Sequence, residues 1–137
     1  GLEELCDEFQ IQVAIHNHGP GARYDKAQDT LNALKNRHLF IGACVDTGHV
    51  IRSGEIPHEV IEQMGARCLS LHLKDWKAGG EECIVGEGDL DLSKTIAALK
   101  AIDFSGPIIM EYELSPSDPV PDMLKGLQNW RDAVAAS

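Results

Sequence analysis

The sequence has little positive charge and no long hydrophobic run. Its 12 Lys and Arg residues stand against 22 Asp and Glu residues, which gives a formal net charge of −10. Because nucleic-acid binding depends mainly on Lys and Arg neutralising phosphates, this balance predicts that nucleic acid is not a partner. No apolar stretch approaches the roughly 20 residues that span a bilayer, and no secretory leader is recognisable at the start. We therefore expect a cytoplasmic protein that does not enter a membrane.

The sequence also lacks a CxxC pair. Two of its four cysteines lie inside strand-like runs, and all four are far apart: Cys6, Cys44, Cys68 and Cys83. This pattern is typical of small buried side chains in a reducing compartment and argues against a disulfide framework. With 137 residues, of which 43% are hydrophobic, the chain can bury a core as a single domain, residues 1–137.

Strand-like and helix-like segments alternate along the chain, without a linker or a low-complexity stretch. The predicted strands cover residues 10–16, 39–46, 67–73 and 107–112. The predicted helices cover residues 1–9, 25–36 with Asp25 as the cap, 57–65, 91–102 with a start at Asp91 or Ser93, and 118–134. A long Gly-rich loop is expected from about residue 75 to 90. Repeated strand–helix units of this kind predict an α/β fold with parallel strands.

Each predicted strand has one apolar face and one face of mostly small side chains that ends in an ionisable group. Alternate side chains of a strand point to opposite faces. The apolar set, which should pack against helices, contains Val13, Ile15, Ile41, Ala43, Val45, Leu69, Leu71, Leu73, Ile108 and Met110. The opposite set contains Ala14, His16, Gly42, Cys44, Asp46, Cys68, Ser70, His72, Ile109 and Glu111. Small interior side chains with chemistry at the carboxyl strand ends are typical of a TIM (β/α)8 barrel, and four strands predict a (βα)4 half of one.

The four ionisable groups at the strand ends form a candidate metal site. They are His16, Asp46, His72 and Glu111. Two imidazoles and two carboxylates suit Mn²⁺, Zn²⁺, Co²⁺ or Fe²⁺, whereas Ca²⁺ prefers oxygen ligands alone. A single His or Asp at a strand end is more often structural. Four of them in phase with the inward face favour a site for one divalent cation.

Five short runs of sequence carry a resemblance to a known family. They are residues 14–19 (AIHNHG), 45–49 (VDTGH), 71–76 (LHLKDW), 85–89 (VGEGD) and 110–113 (MEYE). In this order they resemble strands five to eight of the xylose isomerase-like TIM-barrel superfamily. That superfamily includes sugar phosphate isomerases and epimerases, hydroxypyruvate isomerase, inosose dehydratase and the endonuclease IV nucleases. The resemblance covers essentially the whole chain and implies that it is the C-terminal half of such a barrel.

The resemblance also implies a ligand set and an activity. The family's metal is typically held by Glu, Asp, His and Glu on strands five to eight. Asp46, His72 and Glu111 match the last three, whereas His16 stands in the place of the first Glu. In the epimerases the two glutamates also move the proton beside the substrate carbonyl, which implies catalytic positions for Glu111 and His16. The base could be either of these residues or Glu113.

The function that this resemblance implies is a sugar or sugar phosphate isomerase or epimerase that acts on a small polyhydroxy carbonyl compound. Proton removal next to the carbonyl leaves an enediolate, whose charge a divalent cation stabilises. Mn²⁺ or Zn²⁺ is the favoured cofactor, with Co²⁺ or Fe²⁺ as alternatives.

Other polar residues near the strand ends are candidate substrate contacts. His49, three residues after Asp46, matches the family's substrate-contacting His, although a loop His bonded to backbone is the structural alternative. His18 could bind substrate or orient its neighbour, and a solvated loop position is its alternative. Lys74 could hold a substrate anion or hydroxyl, or else form a salt bridge with Asp75.

Two further candidates are Arg52 and Glu87. Arg52 could bind a phosphate or carboxylate, although a solvated Arg is more common. Glu87 lies in the long loop after the third strand, and loops of that length are often functional lids. Trp76 could line the pocket or pack under this loop.

Several other functions remain open on the sequence alone. A dehydratase on the same scaffold differs only after the proton is removed, and a metal-binding member without turnover is a second alternative. An endonuclease IV-like nuclease needs several zinc ions and a basic groove, which the charge argues against. A non-catalytic assembly module is a different class.

An isolated half barrel would expose two sheet edges. We therefore expect a homo-oligomer, as a dimer or a swapped arrangement, or an N-terminal half supplied separately.

Overall fold

A four-stranded parallel sheet forms the centre of the protein, and its strands are adjacent in the order in which they follow along the chain. The computed structural model describes residues 1–115 and 117–137. The sheet strands are β1 Val13–His16, β2 Ile41–Asp46, β3 Cys68–Leu73 and β6 Ile108–Met110. The helices are α1 Leu2–Phe9, α2 Ala27–Leu34, α3 Thr47–Arg52, α4 Pro57–Met64, α5 Leu92–Ala101 and α6 Val120–Ala135. The predicted parallel α/β architecture is confirmed.

The two faces of the sheet divide as the sequence pattern predicts. The register pairs Cys44 with His16 on one side and with Ser70 on the other, and it pairs His72 with both Asp46 and Ile109. Side chains paired across parallel strands share a face, so the predicted inward set is aligned. The opposite face packs with the helices into an apolar core that includes Ile41, Ala43, Val45, Leu71, Leu73, Val60, Ile61, Met64, Ala98 and Leu99.

The start of β3 differs from the prediction. The register shifts between Ala43 and Cys44, so that Ala43 pairs with Cys68 and Cys44 pairs with Ser70. Cys68 therefore joins the helix-facing core. Leu69 covers the inward side of Gly42, where an added Cβ would lie 2.5 Å from Leu69 Cγ. An extra residue in one strand reverses which face the side chains before it point to. The alternation of residue types along a single strand does not reveal such a shift.

One helix prediction also needs correction, and one helix was not predicted. Helix α2 begins at Ala27, and Asp29 rather than Asp25 accepts the backbone N–H of Lys26. The Asp25 carboxylate is used elsewhere, because it accepts hydrogen bonds from the Ser53 hydroxyl and from the backbone of Gly21. Helix α3 was not predicted. It starts directly at the end of β2, capped by Asp46.

The loop after β3 is organised around one buried carboxylate. Asp75, with no exposed surface, accepts hydrogen bonds from its neighbour Trp76 and from three distant backbone N–H groups, those of Gly86, Gly88 and Leu90, at 2.8–3.0 Å. A Cβ on Gly88 would lie 2.3 Å from Asp75 Oδ1. Strands β4 Asp75–Trp76 and β5 Glu82–Cys83 form a short antiparallel hairpin within the loop. The expected Gly-rich loop is thus a folded unit.

The outer strands β1 and β6 leave both edges of the sheet unpaired within the described part of the chain. The edge strand β6 and the helices α1 and α6 carry exposed apolar side chains, namely Ile108 and Ile109 of β6, Leu2, Leu5 and Phe9 of α1, and Val120 and Leu124 of α6. Edges of this kind favour association, and the expected oligomer or second half stays a prediction. The four cysteines are free. In residues 1–115 and 117–137, no helix is long and apolar enough to cross a bilayer.

We expect Asp75→Asn to destabilise the loop, because an amide presents only one oxygen to four N–H donors. The free energy of unfolding should fall by roughly 2 kcal/mol or more, since hydrogen bonds to charged groups are worth about 1.5–3 kcal/mol each. Denaturant unfolding measures the loss, and amide hydrogen exchange should show reduced protection at Gly86, Gly88 and Leu90. Asp89→Asn is the matched control, because Asp89 is exposed and accepts one hydrogen bond, from Ala78. Equal effects of the two substitutions would contradict this account of the loop.

Candidate metal centre

The four predicted ligands meet at the carboxyl ends of the sheet strands. His16 ends β1, Asp46 ends β2, His72 lies one residue before the end of β3, and Glu111 follows β6. Each side chain offers a nitrogen or oxygen atom, and these atoms all lie within 4.8 Å of one another. The shortest approaches join His72 Nδ1 to Glu111 Oε2, at 2.6 Å, and to His16 Nε2, at 3.1 Å. His16 Nε2 lies 3.8 Å from Oδ2 of Asp46 and from Oε2 of Glu111.

Asp46 is fully buried but only half satisfied. Its Oδ1 accepts a hydrogen bond of 2.8 Å from the backbone N–H of His49, at the start of α3. Its Oδ2 has no hydrogen-bond partner in the described residues. Burial raises the pKa of this carboxyl to about 7. Since buried polar atoms are nearly always paired, an unpartnered carboxylate oxygen facing two imidazoles fits a cation ligand.

The neighbouring Asn17 holds the ends of β1 and β2 together. Its side-chain oxygen accepts from the Asp46 backbone N–H at 2.7 Å, and its amide donates to the Asp46 carbonyl at 3.2 Å. This pair of bonds fixes the backbone on which His16 and Asp46 stand. Apart from the position of Asn17 directly after a strand, no feature of the sequence indicates this role.

Lys74 is the cation of the site, and its side chain has no exposed surface. Its Nζ lies 2.5 Å from Glu113 Oε2, 3.2 Å from Glu111 Oε1 and 3.4 Å from Glu82 Oε2. Burial alone would lower the pKa of this amine, but the hydrogen bonds to Glu113 and Glu111 raise it above its ordinary value. Lys74 therefore stays charged. It pairs with these glutamates rather than with Asp75, the alternative that the sequence suggested.

Glu82 is a member of this network that sequence analysis missed. It is buried, and its Oε1 accepts from the Glu113 backbone N–H at 2.8 Å. Burial opposes ionisation of Glu111, but hydrogen bonds from His72 and Lys74 lower the pKa of that carboxyl below its ordinary value. The Glu111 carboxylate is thus ionised, with Oε1 toward Lys74 and Oε2 toward the two imidazoles.

The imidazole of His16 is suited to act as a neutral ligand. Burial and the nearby His72 lower its pKa. His49 is more strongly affected, because burial, with His18 and Arg52 beside it, lowers its pKa to about 4. A neutral imidazole has a free nitrogen lone pair. Both rings are therefore neutral at neutral pH, and neither repels a nearby cation.

Three of the candidate substrate residues form a stack beside the four ligands. The exposed His18 ring stacks on the buried His49 ring, with centroids 4.0 Å apart. Arg52 Nη1 lies 2.9 Å from His49 Nδ1, and its guanidinium lies 4.7 Å above the ring of Trp76. Because a guanidinium is only a donor, His49 accepts at Nδ1 and carries its proton on Nε2. Arg52 is therefore engaged by protein groups rather than solvated.

Glu87 is not brought into this group. It is exposed and forms an ion pair with Lys125 of α6. Sequence analysis predicted that Cys44 faces inward, but it did not predict that Cys44 lies beside the candidate ligands. The donor atoms of His16, Cys44 and His72 also lie within 4.8 Å of one another.

The fold and the donor atoms define half of a (β/α)8 barrel with a candidate metal centre at its mouth. Residues 1–134 match the family described as "Xylose isomerase-like TIM barrel". The chain therefore belongs to this family, as its motifs predicted.

Comparisons with individual proteins agree with this assignment. The chain is 25% identical to an inosose dehydratase of Clostridium botulinum over 148 residues, which cover 93% of this chain and 49% of the relative. It is 37% identical over 97 residues to a 3-oxo-isoapionate decarboxylase of Pectobacterium atrosepticum, covering 62% and 33% of the two chains. A crystal structure of a D-tagatose 3-epimerase-like protein superposes with a TM-score of 0.80 at 19% identity, covering 98% of this chain and 51% of the other. The chain spans about half the length of the curated relatives it matches, and the predicted half barrel is confirmed.

We expect Asp46→Asn to stabilise the metal-free protein at neutral and alkaline pH. The folded-state pKa of about 7 lies above the ordinary value of 3.8, so the stability of the parent should fall as pH rises between these values. At pH 8 the free energy of unfolding of the variant should exceed that of the parent by on the order of 2–4 kcal/mol. This difference should vanish toward acid pH. Urea unfolding in the presence of a chelator, repeated across pH, measures it.

Asp91→Asn is the matched control, because Asp91 also caps a helix but is exposed. A backbone hydrogen bond from Lys94 lowers the pKa of Asp91. The ionised Asp91 carboxylate therefore stabilises the folded protein at pH values above its ordinary pKa, and this stabilisation is lost as pH falls. Asp91→Asn should therefore destabilise at neutral pH. Destabilisation by both substitutions at pH 8 would show that Asp46 is not a strained carboxylate.

Proposed function

We propose that this chain supplies the metal centre of an enzyme that removes a proton next to the carbonyl group of a small polyhydroxy compound. His16, Asp46, His72 and Glu111 would hold one divalent cation. The observation that carries this proposal is the buried Oδ2 of Asp46, which lacks a partner among the described residues and faces the imidazole of His16. A buried carboxylate oxygen without a hydrogen-bond donor is stabilised by coordinating a cation.

The donor set supports Mn²⁺ or Zn²⁺, with Co²⁺ or Fe²⁺ as alternatives. Two imidazole nitrogens and two carboxylates are common ligands of these ions. When bound, the cation would polarise the carbonyl group and stabilise the negative charge that develops on proton removal.

The chain's own residues would position and deprotonate the substrate. Lys74 holds Glu111 Oε1, so that the carboxylate keeps one orientation. His49, whose Nδ1 accepts from Arg52, would present its Nε2–H to a substrate oxygen. Glu111, His16 and Glu113 are the candidate bases. Glu113 is the most exposed of the three, and it is tied to Lys74 at 2.5 Å.

The comparisons support chemistry at the carbon next to a carbonyl more strongly than they support one overall reaction. Epimerisation and dehydration both begin with removal of the proton beside a carbonyl, and loss of CO2 from a 3-oxo acid leads to the same kind of enolate. These are the reactions that the names of the relatives and of the similar structure imply. We propose an isomerase or epimerase first, because Glu111 and the His16 position correspond to the family's pair of proton-moving residues.

A dehydratase is the second candidate and is equally compatible with the site. The observation that favours it is the match to inosose dehydratase over 93% of the chain. The proposed substrate is in either case a small polyhydroxy carbonyl compound, with no nucleic acid or membrane as partner. We also propose that the other half of the barrel comes from a second copy or from an N-terminal half.

Exchange with deuterium tests the shared step. With Mn²⁺ or Zn²⁺ and a panel of ketoses and inososes in deuterium oxide, the protein should exchange the hydrogen next to the carbonyl, as seen by NMR. Glu111→Gln should slow exchange by roughly 100-fold or more, the usual size of a general-base effect. Glu87→Gln, which changes an exposed glutamate outside the cluster, should have little effect. If metal binds and no compound of the panel exchanges, the proposed chemistry is wrong although the metal centre stands.

The products distinguish the two candidate reactions. An epimerase or isomerase returns a compound of unchanged mass, whereas a dehydratase releases one water, and mass spectrometry separates them. We expect His16→Glu to keep metal binding and, if the reaction is an epimerisation through two glutamates, to raise its rate. A rate that falls while metal binding persists would argue that the imidazole itself takes part.

A further inference from the structure

We propose that Cys44 gives the centre a second, softer set of ligands, in which His16, Cys44 and His72 bind zinc in preference to manganese. This inference rests on the metal centre proposed above and concerns which cation it selects. The thiolate set shares its two imidazoles with the carboxylate set. A cation therefore occupies one set or the other.

The geometry of the sheet brings the thiol to the centre. Cys44 lies two residues before Asp46 on β2 and therefore points to the same inward face. In the register it pairs with His16 on β1 and with Ser70 on β3. The Sγ atom and one nitrogen from each imidazole lie within 4.8 Å of one another. Three ligands around one zinc ion, each about 2.0–2.3 Å from it, fall within this limit.

The other thiols of the chain do not share this position. Cys68, in the same sheet, belongs to the helix-facing apolar core after the register shift. Cys83 lies in the hairpin of the loop and its thiol contacts a backbone carbonyl. Cys44 is 6% exposed and, alone among the cysteines of the described residues, joins a candidate group of metal donors. A second feature of the same cluster indicates a cation there: the buried Oδ2 of Asp46 has no hydrogen-bond partner among residues 1–115 and 117–137.

Ligand chemistry gives the two sets different preferences. Thiolate sulfur is soft and selects Zn²⁺ over Mn²⁺, whereas carboxylate oxygen suits Mn²⁺. Zinc binding at the thiolate set would break the Cys44 S–H bond, release that proton to solvent and form a sulfur–metal bond. The protein would supply two imidazoles and one thiolate, and water or substrate would be the remaining ligand.

Cobalt substitution tests whether Cys44 is a ligand. The full chain loaded with Co²⁺ should show the near-ultraviolet charge-transfer band of a thiolate–cobalt bond. Cys44→Ser should remove this band while Co²⁺ still binds through the imidazoles and carboxylates. Cys83→Ser removes one thiol elsewhere and should leave the band unchanged.

Affinity measurements test the selectivity. Cys44→Ser should weaken Zn²⁺ binding roughly tenfold or more, because it removes a soft ligand, and should leave Mn²⁺ binding nearly unchanged. If the variant does not fold, X-ray absorption of the zinc-loaded parent answers the same question. It should show one sulfur at about 2.3 Å together with nitrogen or oxygen at about 2.0–2.2 Å.

The outcomes separate this inference from the proposed metal centre. Cobalt bound without a thiolate band, or zinc with nitrogen and oxygen neighbours alone, would overturn the role of Cys44 and leave the four-residue centre intact. Failure of Co²⁺, Zn²⁺ and Mn²⁺ to bind at all would overturn both.

Discussion

The site depends on a buried ammonium group that faces three carboxylates. Lys74 has no exposed surface and lies within 3.4 Å of carboxylate oxygens from Glu82, Glu111 and Glu113. Taking a charge out of water costs several kcal/mol unless other groups compensate it. The three partners come from the hairpin loop and from the segment after β6. This buried cation therefore fixes two distant segments of the chain against the end of β3.

Hydrogen bonds and close packing also fix the backbone around Lys74. Thr47 Oγ1 donates to the Lys74 carbonyl at 2.6 Å and accepts its backbone N–H at 3.1 Å. Gly48 lies against the aliphatic part of Lys74, where an added Cβ would be 2.7 Å from Cγ. The next residue, Asp75, fixes the loop that carries Glu82. The motif of residues 71–76 thus supplies a candidate metal ligand, the buried cation and the organiser of the loop in succession.

The fold and the positions of the four strand-end side chains could be predicted because both follow from alternation along single strands. His16, Asp46 and His72 are in phase with small inward side chains, and each lies at the end of an apolar run. The features that were missed depend on more than one segment. The register shift that moves Cys68 to the helix face arises from pairing with Ala43, and no property of either residue alone reveals it. Asp25 is a good cap by residue type, but Ser53, 28 positions later, occupies its carboxylate.

The interactions of the residues around the centre also depend on more than one segment, and they were missed for that reason. Lys74 looked like a candidate for binding a substrate anion, because nothing in its own segment shows that Glu82, Glu111 and Glu113 surround it. Asp75 looked like its natural partner. The structure shows that Asp75 is saturated by backbone N–H groups instead. The tertiary structure determines which groups form an ion pair, and charged residues adjacent in sequence often interact with other groups.

The imidazole of His16 changes the charge balance of the proposed centre. The two carboxylates of Asp46 and Glu111 would together neutralise a divalent cation, whereas a third carboxylate at position 16 would leave an excess negative charge. Uncompensated charge is costly in a buried site. Burial already raises the pKa of Asp46 with only Glu111 nearby as a second carboxylate of the cluster. A neutral donor at position 16 therefore suits a site whose one buried cation, Lys74, is shared with Glu82 and Glu113.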